Sequence, residues 1–270
     1  MNISKSQIAE LERVNYAATA AIAEVTPGLD LWLRDDIIIT SNEFFPYVDV
    51  THACLLQATP QTVDKLITEI IAYFQSKGLP PNIFVSPACT PPNLAERLVQ
   101  RGFAPQKEVE AWLVFEHLLD FAVPSLSPKI AVEQITKANV CTLIKTMLAA
   151  FELPGELEPF MVQLTEPSVG LPGIFHFVAW LDDQPIGTCS LICYQNVGIL
   201  GGVGVVPAHR GSKAVTNLIY RAGQIAQEQG VDMLLLQTVA GTLLERLLRI
   251  GGFKRMFTRT AYTLVNGQLG

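Results

Sequence analysis

A strand, a turn of small and basic residues and a long helix follow one another without interruption over residues 203–226. No other stretch constrains the fold of this chain as strongly. The strand ends at Pro207, which lacks a backbone donor and stops further strand pairing. The turn reads His-Arg-Gly-Ser-Lys over residues 209–213. The helix has apolar residues at helical spacing: Val215, Leu218, Ile219, Ala222, Ile225 and Ala226. This order predicts an α/β protein in which the helix packs back onto a sheet.

The turn before this helix has the composition of an anion-binding site. At a helix N-terminus about four backbone N–H groups lack partners, and the peptide dipoles add about half a positive charge. Small residues would let a phosphate approach these groups, with Arg210 and Lys213 neutralising it and Ser212 donating a further hydrogen bond. The alternative is structural: Ser212 caps the helix, the two basic side chains are solvated, and nothing binds.

The glycines of the preceding strand favour binding. The segment GGVGVV at residues 201–206 would allow a close approach to its backbone. If this strand separates from its neighbour, its unpaired groups can bond to an extended ligand that carries amides. A diphosphate at the helix and a pantetheine chain along the strand together describe coenzyme A.

Similar series of elements flank a break at residues 121–130, which hold two prolines and two serines. Before the break we predict strands at residues 36–41, 48–57, 81–87 and 108–116, and helices at residues 59–78 and 91–103. After it we predict strands at residues 129–135, 196–206, 231–239 and 257–265, and a hairpin at residues 173–194. We predict helices at residues 139–151, 154–164 and 242–250, in addition to the helix that follows the turn and ends at Gly230. Glu-Arg-Leu followed by Gly-Phe occurs in both halves, which indicates an internal duplication into units 1–122 and 129–270.

The second half, residues 129–265, resembles the GNAT superfamily of acyl-CoA-dependent N-acyltransferases. The resemblance rests on the strand VGVVP, the turn AHRG, the amphipathic helix, the strand MLLLQTV and the segment TLLERLLRIGGF. It implies two GNAT-like units of α/β (α+β) class with a mixed central sheet flanked by helices, and acetyl-CoA as acyl donor. It also implies that the pantetheine arm lies along Val205 and Val206. The residues implied around the diphosphate are Arg210, Gly211, Ser212, Lys213, Ala214 and Val215.

The chain departs from the family pattern at the turn and at the catalytic positions. Lys213 and Val215 occupy positions where the family has small residues, and Leu248, or Leu247 with one residue of slippage, stands where the family often has a proton-donating tyrosine. Residues 187–206 contain no Asp or Glu to act as the base. His176, which alternation directs away from Phe175 and Phe177, is either a candidate base or a structural residue at the edge of the core. Tyr194 is a candidate acid, with Tyr262 as the alternative.

Composition limits the other classes of function. The net charge of −6 argues against a nucleic-acid partner, although Arg246, Arg249, Lys254, Arg255 and Arg259 cluster late in the chain, either to meet the adenosine 3′-phosphate or as a solvated face. The five cysteines lack metal-site spacing, so we expect no metal. No apolar window is long enough for a membrane helix, and the N-terminus lacks signal-peptide features, which predicts a cytoplasmic protein.

The sequence therefore predicts transfer of an acetyl or other short acyl group from acyl-CoA to a small-molecule or peptide amine, by direct attack of the amine. The first half has ATPQ where a cofactor turn would stand, so we expect a degenerate unit that extends the sheet, covers the acceptor cleft or mimics a dimer partner. A non-catalytic acyl-CoA-binding or sensing protein and a structural pseudoenzyme are the alternatives. The acceptor and the oligomeric state are left open.

Overall fold

The computed structural model describes residues 3–118 and 124–265. The helices of the described residues are α1 (Lys5–Ala18), α2 (Ala20–Val25), α3 (Val63–Ser76), α4 (Leu94–Gln100), α5 (Val140–Ala150), α6 (Glu158–Thr165), α7 (Ala214–Glu228) and α8 (Leu243–Ile250). The strands are β1 (Leu29–Leu33), β2 (Ile38–Asn42), β3 (His52–Cys54), β4 (Asn82–Val85), β5 (Phe103–Phe115), β6 (Ile130–Gln134), β7 (Ile174–Leu181), β8 (Gln184–Tyr194), β9 (Val197–Val205), β10 (Met233–Val239) and β11 (Lys254–Leu264). No helix in these two ranges is long and apolar enough to cross a membrane.

The strands of the described ranges form one mixed sheet of eleven strands in the order β1-β2-β3-β4-β11-β5-β10-β9-β8-β7-β6. The two halves exchange their last strands. β11 lies between β4 and β5, and β5 lies between β11 and β10. In each half a parallel pair, β3–β4 or β9–β10, is followed by an antiparallel strand from the other half. The predicted mixed sheet flanked by helices is confirmed, while the division into units 1–122 and 129–270 stays a prediction.

Helices cover both faces of the sheet, because strand residues alternate between the faces. On one face, which we call the α7 face, Leu113, Leu234 and Leu236 form a core with Leu218 of α7 and Leu248 of α8. A separate core on this face packs α3 and α4 against strands β2, β3 and β4 of the first half. On the other face, which we call the α1 face, α1 packs across the junction of the halves on a core that includes Trp112, Val114 and Leu235. α5 also lies on the α1 face, where Leu143 contacts the core residue Val178.

The break between the halves is tied to α7. Residues 121–123 of the predicted break lie outside the described residues. Beyond them, the buried Asn217 side chain accepts the Ser127 N–H at 3.1 Å and donates to the carbonyls of Ser127 and Ile130, both at 3.0 Å. Asn217 thereby fixes where the second half begins relative to its main helix.

Most predicted elements agree with the structure, and the differences lie in the first half. The expected strand over residues 48–57 is reduced to β3, His52–Cys54. Two helices and one strand before residue 37, namely α1, α2 and β1, were not predicted from the sequence. α1 begins with a capping box in which Ser4 accepts the Gln7 N–H and the Gln7 side chain accepts the Ser4 N–H. This Ser-x-x-Gln pattern is the signal from which the helix start could have been found.

Candidate functional site

β9 and β10 pair over only part of their length and then separate. The parallel register runs from Met233 opposite Val197 to Leu236 opposite Leu200 and stops there. Both strands continue, β9 to Val205 and β10 to Val239. On their other edges β9 still pairs with β8, and β10 still pairs with β5. The edges that face each other past Leu200 therefore have unpaired backbone groups. This V-shaped opening is the predicted place for an extended ligand.

A bulge lies in β9 at the opening. Gly201 is opposite Ser190 and Gly204 is opposite Thr188, so Gly202 and Val203 together face one residue of β8. Gly202 has a φ of +57°, which a glycine adopts without strain, and its carbonyl accepts the Thr188 hydroxyl at 2.8 Å. A bulge leaves its extra residue unpaired and re-aims the strand. The regular pairing of β8 with β9 is thus interrupted at the mouth of the opening.

The end of β9 directs backbone groups into the opening. The Val206 N–H donates to the Ile186 carbonyl at 2.9 Å on the β8 side. Because successive N–H groups of a strand point to opposite edges, the Val205 N–H points toward β10. The Val205 side chain is buried in the core of the α7 face, so this residue offers only its backbone to a ligand.

The turn from residue 206 to α7 leaves the helix N-terminus uncapped. Residues Pro207–His209 form a 3₁₀ turn, and Gly211 and Lys213 have φ values of +91° and +70°. Lys213 is the N-cap residue and makes no side-chain cap hydrogen bond. The Ser212 hydroxyl oxygen is buried and has no hydrogen-bond partner among residues 3–118 and 124–265. The expectation that Ser212 caps α7 is therefore wrong, and the first N–H groups of the helix have no side-chain cap. That the turn binds an anion stays a prediction.

The two basic residues of the turn are exposed and lie at its edges. The Arg210 guanidinium donates to the Glu152 carboxylate at 2.7 Å and to the Ala150 carbonyl at 3.2 Å, which ties the turn to the end of α5. The Lys213 ammonium donates to the Ser125 hydroxyl at 2.9 Å. Glu152 offsets part of the Arg210 charge, whereas Lys213 has only a neutral partner.

His176 is buried on the α1 face, where its ring contacts the Ser190 hydroxyl beside the bulge. Its Nδ1 lies 2.8 Å from the Ser190 hydroxyl, and its Nε2 lies 3.5 Å from the Ser168 hydroxyl. A Cβ atom placed on Gly202 would lie 3.9 Å from the Ser190 hydroxyl oxygen. Burial lowers the pKa of His176 to about 4, so the imidazole is neutral at pH 7 and keeps a lone pair.

His176 should make the protein less stable in acid. Its pKa falls from the ordinary 6.5 to about 4, so the unfolded chain binds the proton first as the pH drops through this window. We expect His176 alone to remove about 3 kcal/mol from the free energy of unfolding between pH 6.5 and pH 4, at 1.36 kcal/mol for each unit of pKa.

Urea titrations of the wild type and of His176→Gln across this pH range measure the effect. Burial also lowers the pKa of His52, to about 3, so only the difference between the two proteins reports on His176. Curves that run parallel from pH 6.5 to pH 4 would contradict the assignment.

The structure does not bring Tyr194 to the bulge. Tyr194 ends β8 beside the turn to β9 and is half-buried in the core of the α1 face. Four residues of strand separate it from Ser190, or about 13 Å. Its role as an acid stays a prediction, and its position does not favour that role.

Leu247 and Leu248, the two leucines at the place of the family tyrosine, differ in exposure to solvent. Leu248 is 3% exposed and packs in the core, whereas Leu247 is 45% exposed. Only Leu247 can therefore meet a ligand, and neither side chain can supply a proton.

Open surface lies over the bulge on the α1 face. Gly201 is exposed, and a Cβ atom placed on it would meet no atom within 4 Å. At the other side of the bulge, the Phe151 ring and Ala150 cover Gly204. The first half reaches this face as well, since the Phe44 ring lies edge-on to Phe160 of α6, with centroids 5.9 Å apart. Side chains of the first half thus contact helix α6 of the second half.

A buried ionic cluster joins the halves and was missed from the sequence. Arg259 is 5% exposed, and its guanidinium lies 3.2 Å from Glu110, 3.5 Å from the fully buried Glu12 and 2.9 Å from the Tyr16 hydroxyl. The expected basic cluster is therefore divided, because Arg259 is inside the protein. Glu12 and Tyr16 are four residues apart in α1, a spacing that puts both on one face and could have indicated the cluster.

No group of three or more potential metal ligands occurs in the part of the chain that the structure describes. The predicted turn residues, Arg210, Gly211, Ser212, Lys213, Ala214 and Val215, lie together around the start of α7, directly after Val205 and Val206.

Comparisons with known proteins found one family model that matches part of the chain, and solved structures with the same fold. Residues 144–248 match the family model described as the acetyltransferase (GNAT) family. No curated protein gave a significant sequence match.

Among solved structures, a GCN5-related N-acetyltransferase from Kribbella flavida is similar over 100% of this chain and 98% of its own, with a TM-score of 0.72 and 16% identity. A second one, from Sphaerobacter thermophilus, is similar over 98% of this chain and 95% of its own, with a TM-score of 0.63 and 16% identity. A tandem GNAT protein from the clavulanic acid biosynthesis pathway is similar over 97% of this chain and 95% of its own, with a TM-score of 0.62 and 12% identity. The predicted GNAT fold and the resemblance to a tandem GNAT protein are confirmed.

Proposed function

We propose that this protein transfers an acetyl or other short acyl group from acyl-CoA to an amine, since residues 144–248 match the model of the acetyltransferase (GNAT) family. One observation carries the proposal: β9 and β10 separate beside an uncapped helix whose N-terminal N–H groups are open. This arrangement offers an edge for the amides of pantetheine and a positive end for a diphosphate in one continuous site.

The cofactor would lie along β9 with its diphosphate at the start of α7. The Val205 N–H and its neighbours pair with the pantetheine amides. The first N–H groups of α7, from Ala214 to Thr216, bind the diphosphate together with the Ser212 hydroxyl, which has no other described partner. Lys213 adds a cation at the same end, and its φ of +70° lets the chain make the turn that a glycine usually makes.

The reaction would be direct attack of a neutral amine on the thioester carbonyl. The new C–N bond forms as the C–S bond breaks, and the sulfur leaves as thiolate. A backbone N–H at the Gly202 bulge polarises the carbonyl oxygen as it becomes negative. The proton lost by the amine passes through the Ser190 hydroxyl to the lone pair of His176. The thiolate takes a proton from solvent, because neither Leu247 nor Leu248 has one to give.

The first half would build the acceptor side of the site. It contributes β5, which extends the sheet beside β10, and it places α1 and Phe44 over the α1 face. A small-molecule or peptide amine would enter over Gly201, where the surface is open. We expect no cofactor in the first half, which lacks a basic turn.

A non-catalytic acyl-CoA-binding protein is the second candidate. The observation that favours it is the pair of leucines at the acid position, together with the pKa of His176 near 4, which makes this imidazole a weak base. A structural pseudoenzyme would bind no nucleotide at all. Release of free thiol from acetyl-CoA, measured with and without a panel of primary amines, separates these functions. Amine-dependent release supports transfer, binding without release supports the second candidate, and absence of binding supports the third.

A further inference from the structure

A cavity of about 950 Å³ lies beside α8, away from the opening between β9 and β10. Its walls come from the start of α1, one flank of α8, the end of β5 and the start of β11. None of its lining residues belongs to β9 or to residues 206–215. A volume of this size is typical of sites for small organic ligands.

The geometry of α8 puts Leu247, the exposed leucine at the place of the family tyrosine, on a different flank of the helix from Glu245. Leu244 and Leu248 face the core, and each residue turns the helix by about 100°. Glu245 therefore lies on one flank, where its carboxylate is 3.3 Å from Arg255 of β11. Leu247 lies on the opposite flank. The cavity extends from the Glu245 flank across the outer side of α8 and does not include Leu247 in its lining, which on this helix consists of Glu245, Arg246, Arg249 and Ile250.

The cavity carries an uncompensated positive charge. Its two carboxylates already have partners: Glu116 is 2.7 Å from Lys254, and Glu245 pairs with Arg255 and accepts the Gly241 N–H at 2.6 Å. Arg246 and Arg249 remain, and neither side chain has an ion-pair partner in the described ranges. They are three residues apart on α8, so both guanidinium groups can reach one ligand. This leaves two positive charges in a chain with a net charge of −6.

The rest of the wall suits the body of an organic molecule. Ile3, Ile250, Phe253 and Met256 supply apolar surface beside the arginines. Ile250 is 77% exposed, and a ligand body would cover it. Gln7 of α1 adds an amide on the far side of the cavity.

We propose that this cavity is a second ligand site, which binds a small organic anion through Arg246 and Arg249 and packs its apolar body against Ile250 and Met256. The anionic group is a phosphate monoester or a carboxylate, because either can accept hydrogen bonds from two guanidinium groups. The ligand bridges α8 and α1, and it occupies a site that acyl transfer does not use.

Calorimetric titration of the full chain with hexyl phosphate and with hexanoate tests the proposal, with hexylamine as the cationic control. The wild type should bind at least one of the two anions and not hexylamine. The double variant R246Q/R249Q should bind that anion at least tenfold more weakly. The matched variant K65Q/K137Q, which removes the same charge from exposed lysines elsewhere, should bind it as the wild type does.

Saturating coenzyme A should leave this binding unchanged. Displacement by coenzyme A would put the anion at the start of α7 and overturn the proposal. Equal affinity in wild type and R246Q/R249Q, or no binding of either anion by the wild type, would overturn it as well. Circular dichroism of both variants checks that they are folded, since all four substituted residues are exposed.

Discussion

Replacing Arg259 by methionine is expected to lower the free energy of unfolding by about 3–5 kcal/mol, the range found when one partner of a buried ion pair is removed. Arg259 is 5% exposed and balances two carboxylates, Glu12 from α1 and Glu110 from β5. Without the guanidinium, the carboxylate of Glu110 stays in a largely buried place without its cation. Burial already raises the pKa of Glu12, which shows how poorly this site solvates a charge.

The ring contacts of Arg259 add to this cost. Its guanidinium carbon lies 4.0 Å from the centre of the Phe84 ring and 4.8 Å from that of the Trp112 ring. Methionine keeps much of the volume, so the loss reports on charge rather than on a cavity.

Urea denaturation at pH 7 measures the change at Arg259, with Arg246→Met as the matched control. Arg246 is exposed and has no described ion-pair partner, so its substitution should cost less than about 0.5 kcal/mol. Combining Arg259→Met with Glu12→Gln should recover part of the loss, because it removes one of the two unbalanced carboxylates. A loss below 1 kcal/mol for Arg259→Met would mean that the cluster does not hold the halves together.

Gly201→Phe is expected to abolish acyl transfer while leaving the fold and the affinity for coenzyme A intact. Gly201 lies beside the bulge on the α1 face, and a Cβ atom there meets nothing within 4 Å, so the ring enters open space rather than the core. The ring would stand beside Ser190, between the acceptor and the thioester. We expect turnover to fall at least about 100-fold, since small misplacements of reacting groups cost that much.

Amine-dependent thiol release and titration with coenzyme A separate the two effects of Gly201→Phe. Gly201→Ala is the matched control and should keep most of the turnover, because a methyl group leaves the passage open. If Gly201→Phe turned over acetyl-CoA at the rate of the wild type, the acceptor could not approach over this face. Loss of coenzyme A affinity in the same variant would show that Gly201 borders the cofactor itself.

The elements that can be predicted from the sequence are those whose signals lie between residues close together in the chain. The strand, turn and helix over residues 203–226 could be located because their periodicity and the proline are local signals. α1 was missed because Glu12 and Tyr16 occupy positions on its buried face, and a buried glutamate looks like a solvated one in sequence. The exchange of β5 and β11 depends on pairing between residues far apart in the chain, which no local pattern records.

The predicted internal duplication rests on a match that can be aligned in two ways. Glu-Arg-Leu aligns Leu98 with Leu247, yet Leu98 is buried and Leu247 is exposed. Counting back four residues from the glycine before phenylalanine aligns Leu98 with Leu248, and both are buried. The buried residues Leu98 and Leu248 therefore correspond, and the second half has one more residue between Glu-Arg-Leu and Gly-Phe. The β9 bulge was equally hidden, because its glycines fit a regular strand as well as a bulged one.

Titration of the purified protein with acetyl-CoA, in wild type and in Lys213→Glu, tests the central claim most directly. Lys213 is exposed at the start of α7, and a carboxylate there would face the diphosphate without disturbing the helix, whose N-terminus favours negative charge. We predict saturable one-to-one binding that Lys213→Glu weakens at least about tenfold, because like charges in contact cost more than the 1.4 kcal/mol that a factor of ten represents. Lys137→Glu makes the same charge change on an exposed residue elsewhere and should bind as the wild type does. Absence of binding by a folded wild type, or equal binding by Lys213→Glu, would contradict the account.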